Sequence, residues 1–171
     1  MPDATGLELI ARRLRDALGE DAVTGTSYFR GQATIEVAPA RVRDVLQQLR
    51  DDPDEPFGQL MSVHGCDYLP EEPRLGVHYQ LIDMHRPDRI GVKTRVTVEE
   101  PAVPSVAELY PGANYHEREV YDMFGVEFDG HPDPRRIQMP EDYEGHPQRR
   151  DFPIGGEVVH FTYKGHRGGL E

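Results

Sequence analysis

The residues that could carry chemistry crowd into one stretch, from His116 to Asp151. His116-Glu117-Arg118-Glu119-Val120 has the outline of H-E-x-x-H, the helical motif in which two imidazoles one turn apart hold zinc. Val120 stands where the second imidazole is needed. A di-iron Glu-x-x-His pair is also missing, because Ala113 lies three residues before His116. Glu117, Glu119 and Asp122 could supply an acid and a base, although spacing alone does not set their separation. The plainer reading makes them solvated helix surface, with Arg118 and Asp122 an i,i+4 pair contributing about 0.2–0.5 kcal/mol. No Gly-x-Ser-x-Gly and no phosphate-cradling glycine loop appears. Cys66 is the single cysteine and reads as a small packing residue. His116, His131 and His146, with nearby carboxylates, leave a metal-dependent hydrolase as one alternative.

A second feature is a repeat. Gly130-His131-Pro132-Asp133-Pro134-Arg135-Arg136 is echoed by Gly145-His146-Pro147-Gln148-Arg149-Arg150. Each is a Gly-His-Pro turn followed by an Arg pair. The arginines could simply balance Asp133, Glu141, Asp142 and Glu144. The sharper reading is recognition of a partner, since the planar guanidinium fork matches carboxylates and carbonyls. His131 and His146 then serve as structural hydrogen bonders.

The elements that must position these residues follow from periodicity. Leu7, Ile10, Ala11, Leu14 and Leu18 fall at helical spacing, with Gly19 at the stop. Residues 23–29 and 32–37 read as strands around an Arg30-Gly31 turn. A second helix starts at Pro39 and carries Val42, Val45, Leu46 and Leu49 on one stripe. Residues 60–68, 75–81 and 90–99 read as further strands, the last two with period-2 alternation. Their connecting loops are short enough for hairpins. The fold class is α+β: a mixed sheet of about five strands packed with two helices, then short helices and an extended C-terminal arm. Residues 101–104 read as a connector. Ser105-Val106-Ala107-Glu108 reads as a capping box that opens a short helix to about Tyr110. Residues 114–124 form the next helix, ended by Gly125. This divides the chain into an α+β domain (1–100), short helices with the Glu-Arg-Glu motif (101–128) and an arm (129–171).

Residues 129–153 contain no Ser, Thr or Lys, and periodicity disappears there. Such a segment cannot build its own core, so it should lie on another surface, ordered by a partner and anchored by Ile137, Met139, Tyr143 and Phe152.

Composition excludes several classes. The chain has 171 residues and a net charge of -12, which argues against nucleic acid. One cysteine excludes a disulfide framework, a cysteine-based zinc site and an iron–sulfur cluster held by this chain alone. No apolar run approaches the ~20 residues needed to span a bilayer. The N-terminal stretch lacks a signal-peptide core, so a cytosol-like compartment is expected.

Residues 114–125, then Gly130-His131-Pro132-Asp133 and Arg135-Arg136-Ile137, resemble the C subunit of respiratory complex I, the proton-pumping NADH:quinone oxidoreductase. The likeness runs on through 139–147 and 149–153, and back to Val103-Pro104-Ser105-Val106. This resemblance implies a protein with no cofactor of its own, FMN and iron–sulfur clusters sitting on other members of the complex. It implies docking on the D subunit near the quinone site and contact with other peripheral-arm proteins. It also implies a location on the cytoplasmic face of the cell membrane, held there only indirectly through the complex. Glu117, Arg118, Glu119, Asp122, His131, Arg135, Arg136, Ile137, Tyr143, His146, Arg149, Arg150 and Phe152 become the expected partner-binding set. A related membrane-bound hydrogenase, or a dehydrogenase with another donor, would share these motifs. An α+β adaptor unrelated to respiration is the remaining alternative.

Overall fold

The computed structural model describes residues 2–54, 56–86 and 88–153. The chain begins with helix α1 (Ala4–Leu18), whose N-cap Asp3 accepts a hydrogen bond from the Gly6 amide at 2.7 Å. Gly19 closes it at φ 103, a conformation that strains any residue with a Cβ. Strands β1 (Val23–Phe29) and β2 (Gln32–Val37) form an antiparallel hairpin across the expected Arg30-Gly31 turn. Helix α2 (Val42–Arg50) follows, entered through a single 3-10 turn.

Strands β3 (Gln59–Asp67), β4 (Leu75–Ile82) and β5 (Arg89–Val96) complete a five-stranded sheet in the order β1-β2-β5-β4-β3. All neighbours are antiparallel except β2 and β5, which are parallel, so the sheet is mixed. One face is apolar: Ile35, Val63, Val77, Tyr79, Leu81, Ile90 and Val92 are buried there with Leu7, Leu14, Val45 and Leu46 from the helices. Burying each such side chain stabilises the fold by about 1.5–3 kcal/mol. The other face carries polar residues, including His64 stacked on His78 with ring centroids 5.1 Å apart. Burial holds His78 neutral, its pKa lowered to about 4.

Two expectations fail in the next segment. Residues 102–104 are not a connector but strand β6 (Ala102–Pro104), which pairs in parallel with β7 (Glu127–Asp129). Three residues are too few to show alternation. Ser105 also opens no helix: Glu108 reaches Arg43 at 2.5 Å instead of closing a capping box. Helix α3 (Ala113–Phe124) is present as expected and packs against β3. Gly65 on β3 makes this possible, because a Cβ there would meet the Phe124 ring.

The arm turns back onto α3 and the end of β3. The surface it lies on belongs to the same chain, as far as residue 153. The rest of the expected arm, 154–171, lies outside the described residues.

Candidate functional site

Helix α3 presents two carboxylates that the sequence suggested were solvated. Glu117 and Asp122 are both 0% exposed. The expected i,i+4 pair between Arg118 and Asp122 does not form, because each has partners in the arm.

Asp122 sits in a nest of donors. Its Oδ2 accepts from the amides of Ile137 (3.1 Å), Gln138 (2.7 Å) and Met139 (2.8 Å). Its Oδ1 accepts from Arg136 Nη1 at 2.7 Å. Burial alone would raise the pKa of this carboxyl, but the three amides and the guanidinium outweigh it, and the net direction is down. Arg136 also donates to Gly145 O at 3.0 Å and lies over the Tyr143 ring. Tyr143 in turn stacks on Phe152.

The last turn of α3 shows why the second Gly-His-Pro turn exists. A helix leaves its final four carbonyls without intrahelical partners. The Tyr121 carbonyl accepts from the Gly125 amide, and that of Asp122 from His146 Nδ1 and Arg136. Those of Met123 and Phe124 accept from the Gln148 amide at 3.1 Å and from Arg149 Nε at 2.6 Å. Arm groups therefore satisfy three of the four carbonyls, and two guanidinium groups face the negative end of the helix dipole. Gly125 is required twice over. Its φ is 73, and a Cβ would collide with His146 and Arg149.

Arg118 holds the first turn, donating to the carbonyls of Arg135 (2.9 Å) and Arg136 (3.0 Å) and pairing with Asp133 at 3.4 Å. His131 accepts the Asp133 amide at Nδ1, which leaves Nε2 protonated to donate to Asn114 O at 3.1 Å. The same Nε2 lies 3.7 Å from Glu117 Oε2. Glu117 accepts from the Ser105 hydroxyl at 2.6 Å and the Val106 amide at 2.8 Å. Burial prevails over these bonds and pushes its pKa up to about 7. Beside the pair opens a cleft of about 410 Å³, lined in part by Arg118, Tyr121 and Phe128.

Sequence reasoning missed a third clamp. Arg74 donates to Asp67 through Nε (2.8 Å) and Nη2 (2.6 Å), and to Asp151 through Nη1 and Nη2, both at 2.7 Å. Asp67 also accepts the Arg150 amide at 2.7 Å, and the Arg150 side chain bonds the Leu69 carbonyl. The guanidinium holds both Asp67 and Asp151 below the ordinary carboxylate range.

The expected partner-binding set thus divides. Glu117, Arg118, Asp122, His131, Arg136, Tyr143, His146, Arg149 and Phe152 build the intrachain clamp, together with the backbone of Arg150. Arg135, Glu119 and the Ile137 side chain face outward. Arg135 pairs with Asp133 at 2.7 Å, and Glu119 with Gln138 at 2.5 Å. Ile137 is 41% exposed, so its amide and not its side chain anchors the arm. Among the described residues, no three His, Cys, Asp or Glu side chains converge in a way that could hold a metal ion. No helix among them is long and apolar enough to cross a membrane.

Residues 35–158 match the family described as respiratory-chain NADH dehydrogenase, 30 Kd subunit. The chain belongs to this family. Its relatives include the C subunit of NADH-quinone oxidoreductase from Roseiflexus sp. (strain RS-1), 50% identical over 95% of this chain and 91% of the relative. Another is the C subunit from Mycolicibacterium smegmatis, 39% identical over 90% of this chain and 67% of the relative. Among solved structures, the trypsin-resistant fragment of Nqo5 aligns with a TM-score of 0.57 and 29% identity, covering 74% of this chain and 98% of the fragment. The membrane-bound sulfane sulfur reductase, an archaeal respiratory membrane complex, contains a chain that aligns with a TM-score of 0.68 and 25% identity, over 88% and 86%. The resemblance carried by the Glu-Arg-Glu helix and the two Gly-His-Pro turns is borne out.

Proposed function

We propose that this chain is the cofactor-free C subunit in the peripheral arm of a proton-translocating NADH:quinone oxidoreductase. It docks on the D subunit near the quinone site, on the cytoplasmic face of the membrane, and touches the membrane only through the complex. Electrons pass from NADH through FMN and iron–sulfur clusters on other members of the complex to quinone. The observation that carries the reading is 50% identity over 95% of the chain to a C subunit of this enzyme, covering 91% of that relative. One cysteine and no converging ligand set among the described residues give the chain little with which to host a redox centre. Its own catalytic activity is nil in this reading, and its task is mechanical.

The clamp supplies the mechanics. Buried Asp122 and Arg74, with half-buried Arg118, fix 129–153 on α3 and β3 before any partner arrives, so the arm meets the D subunit already shaped. Outward-facing Arg135, Glu119 and Ile137 are the direct contacts, and the buried members of the set position them. The experiment is affinity purification of the tagged chain from membranes, with identification of the co-purifying proteins. Recovery of the D subunit and NADH:quinone activity supports the reading. Recovery without either refutes it.

The likeness to a chain of the sulfane sulfur reductase favours a second reading, a related membrane complex with another donor or acceptor. NADH oxidation by the purified complex separates the two.

A further inference from the structure

The clamp explains the inner side of the arm and leaves its outer side unaccounted for. Tyr115 is 65% exposed and Ile137 41% exposed. The way the arm crosses α3 brings them to one face. Tyr115 stands three residues before Arg118 and four before Glu119, so all three share one side of the helix, with Tyr115 a turn nearer its N-terminus. The arm lies across that side. Arg118 holds the carbonyls of Arg135 and Arg136, and the Gln138 side chain reaches Glu119. Ile137 falls between those anchor points. Pro132, Pro134 and Pro140 are exposed along the same stretch of arm. Proline rings have no rotamers to lose, and the clamp already fixes the backbone, so little ordering opposes association here.

The charges beside this face are matched within the chain. Arg118 and Arg135 both pair with Asp133, at 3.4 and 2.7 Å. Arg136 pairs with Asp122 at 2.7 Å, Glu119 accepts from Gln138, and Glu141 adds to the negative field at Arg135. An ionic ligand would have to compete with these pairs, so ionic recognition adds little. Glu141, Asp142 and Glu144 follow, exposed, in a chain of net charge -12, and an anionic lipid surface would repel them. What remains is an aromatic ring, an aliphatic side chain and prolines, which match the uncharged apolar surface of another protein. Tyrosine is among the few residue types that dominate binding energy when seated in a pocket.

We infer that Tyr115 anchors the docking of this chain on the D subunit, its ring seated in an uncharged apolar pocket of that protein with Ile137 beside it. The occupant follows from continuity. Glu119, Arg135 and Ile137, already read as the direct contacts, lie on the same face of helix and arm, so the inference rests on that reading and deepens it. The centre of the contact is apolar, and the paired arginines shape the arm around it.

The test is recovery of the D subunit with the tagged full-length chain from membranes. Tyr115→Ala should lower recovery at least tenfold, and Tyr115→Glu with Ile137→Glu further still. Tyr115→Phe keeps the ring and should stay within twofold of the parent. Arg135→Gln, which removes a charge already paired, should stay within about threefold. Leu9→Glu, on α1 and 58% exposed, should change recovery less than twofold. Thermal melts of the free variants should match the parent. A photo-crosslinking residue in place of Tyr115, in the otherwise native chain, should capture the D subunit through a peptide rich in apolar residues, whatever the folding of the double variant. Recovery of Tyr115→Ala equal to that of Leu9→Glu would overturn the inference, as would a larger loss with Arg135→Gln than with Tyr115→Ala, or crosslinks to lipid, to another protein alone or to nothing. If the native chain recovers no D subunit, the underlying reading fails. If it does and the Tyr115 variants recover as much, only the anchor fails.

Discussion

Removing the Asp122 carboxylate should release the arm. Three amides and one guanidinium converge on it at 2.7–3.1 Å in a fully buried position. A hydrogen bond to a charged group contributes roughly 1.5–3 kcal/mol net. Four of them do not simply add, because an arm without its acceptor lifts away and rehydrates its donors. Breaking a buried charge pair by removing one partner costs about 3–5 kcal/mol, and that is the expected loss for Asp122→Ala. Asp122→Asn keeps the shape but turns an amide donor toward donors, so it should lose roughly half as much. Urea unfolding of the purified chain measures both. Trypsin provides a second readout, since Arg135, Arg136, Arg149 and Arg150 all lie in the arm. The native chain should resist cleavage there, and Asp122→Ala should be cut first at these sites. A loss below about 1 kcal/mol with an unchanged tryptic pattern would refute the clamp.

Other outcomes follow from the same geometry. Glu117 has its pKa raised to about 7 from the ordinary 4.5, so the folded state holds its proton longer than the unfolded chain. Its contribution is complete below pH 4.5 and is lost as pH rises to about 7, a drop of about 3 kcal/mol at most; Glu117→Gln should flatten that part of a pH series of urea midpoints. Arg74→Met leaves Asp67 buried without its cation and frees Asp151, and should cost about 3–5 kcal/mol by the same unfolding assay. Gly125→Ala strains a positive φ and presses on His146 and Arg149, so it should lower the melting temperature and expose the arm to trypsin, whereas the surface change Arg12→Ala should do neither.

The sheet is largely legible in the sequence. Residues 23–29 and 32–37 have as strands the bounds expected for them, on either side of the Arg30-Gly31 turn. Strands β6 and β7 are not legible, since three-residue strands have no period and form only when α3 brings them together. The carboxylates are misread for a different reason. A buried Asp and a solvated Asp look alike in a helix, and the donors to Asp122 lie 14–17 residues away in a loop. The available signals are four Arg with no Lys in residues 129–153, and a glycine ending α3 just before them. Arg74 offers no signal at all, because its second carboxylate partner, Asp151, is 77 residues distant.

If this chain is structural within an electron-transfer complex, its clamp serves assembly and not chemistry. Native gels and quinone reductase assays on the same membranes, comparing Arg136→Ala with the parent, test this most directly. The expected result is less assembled complex, activity reduced in the same proportion, and normal turnover per assembled complex. Full assembly with lost turnover would contradict a structural role and place Arg136 in the shaping of the quinone site.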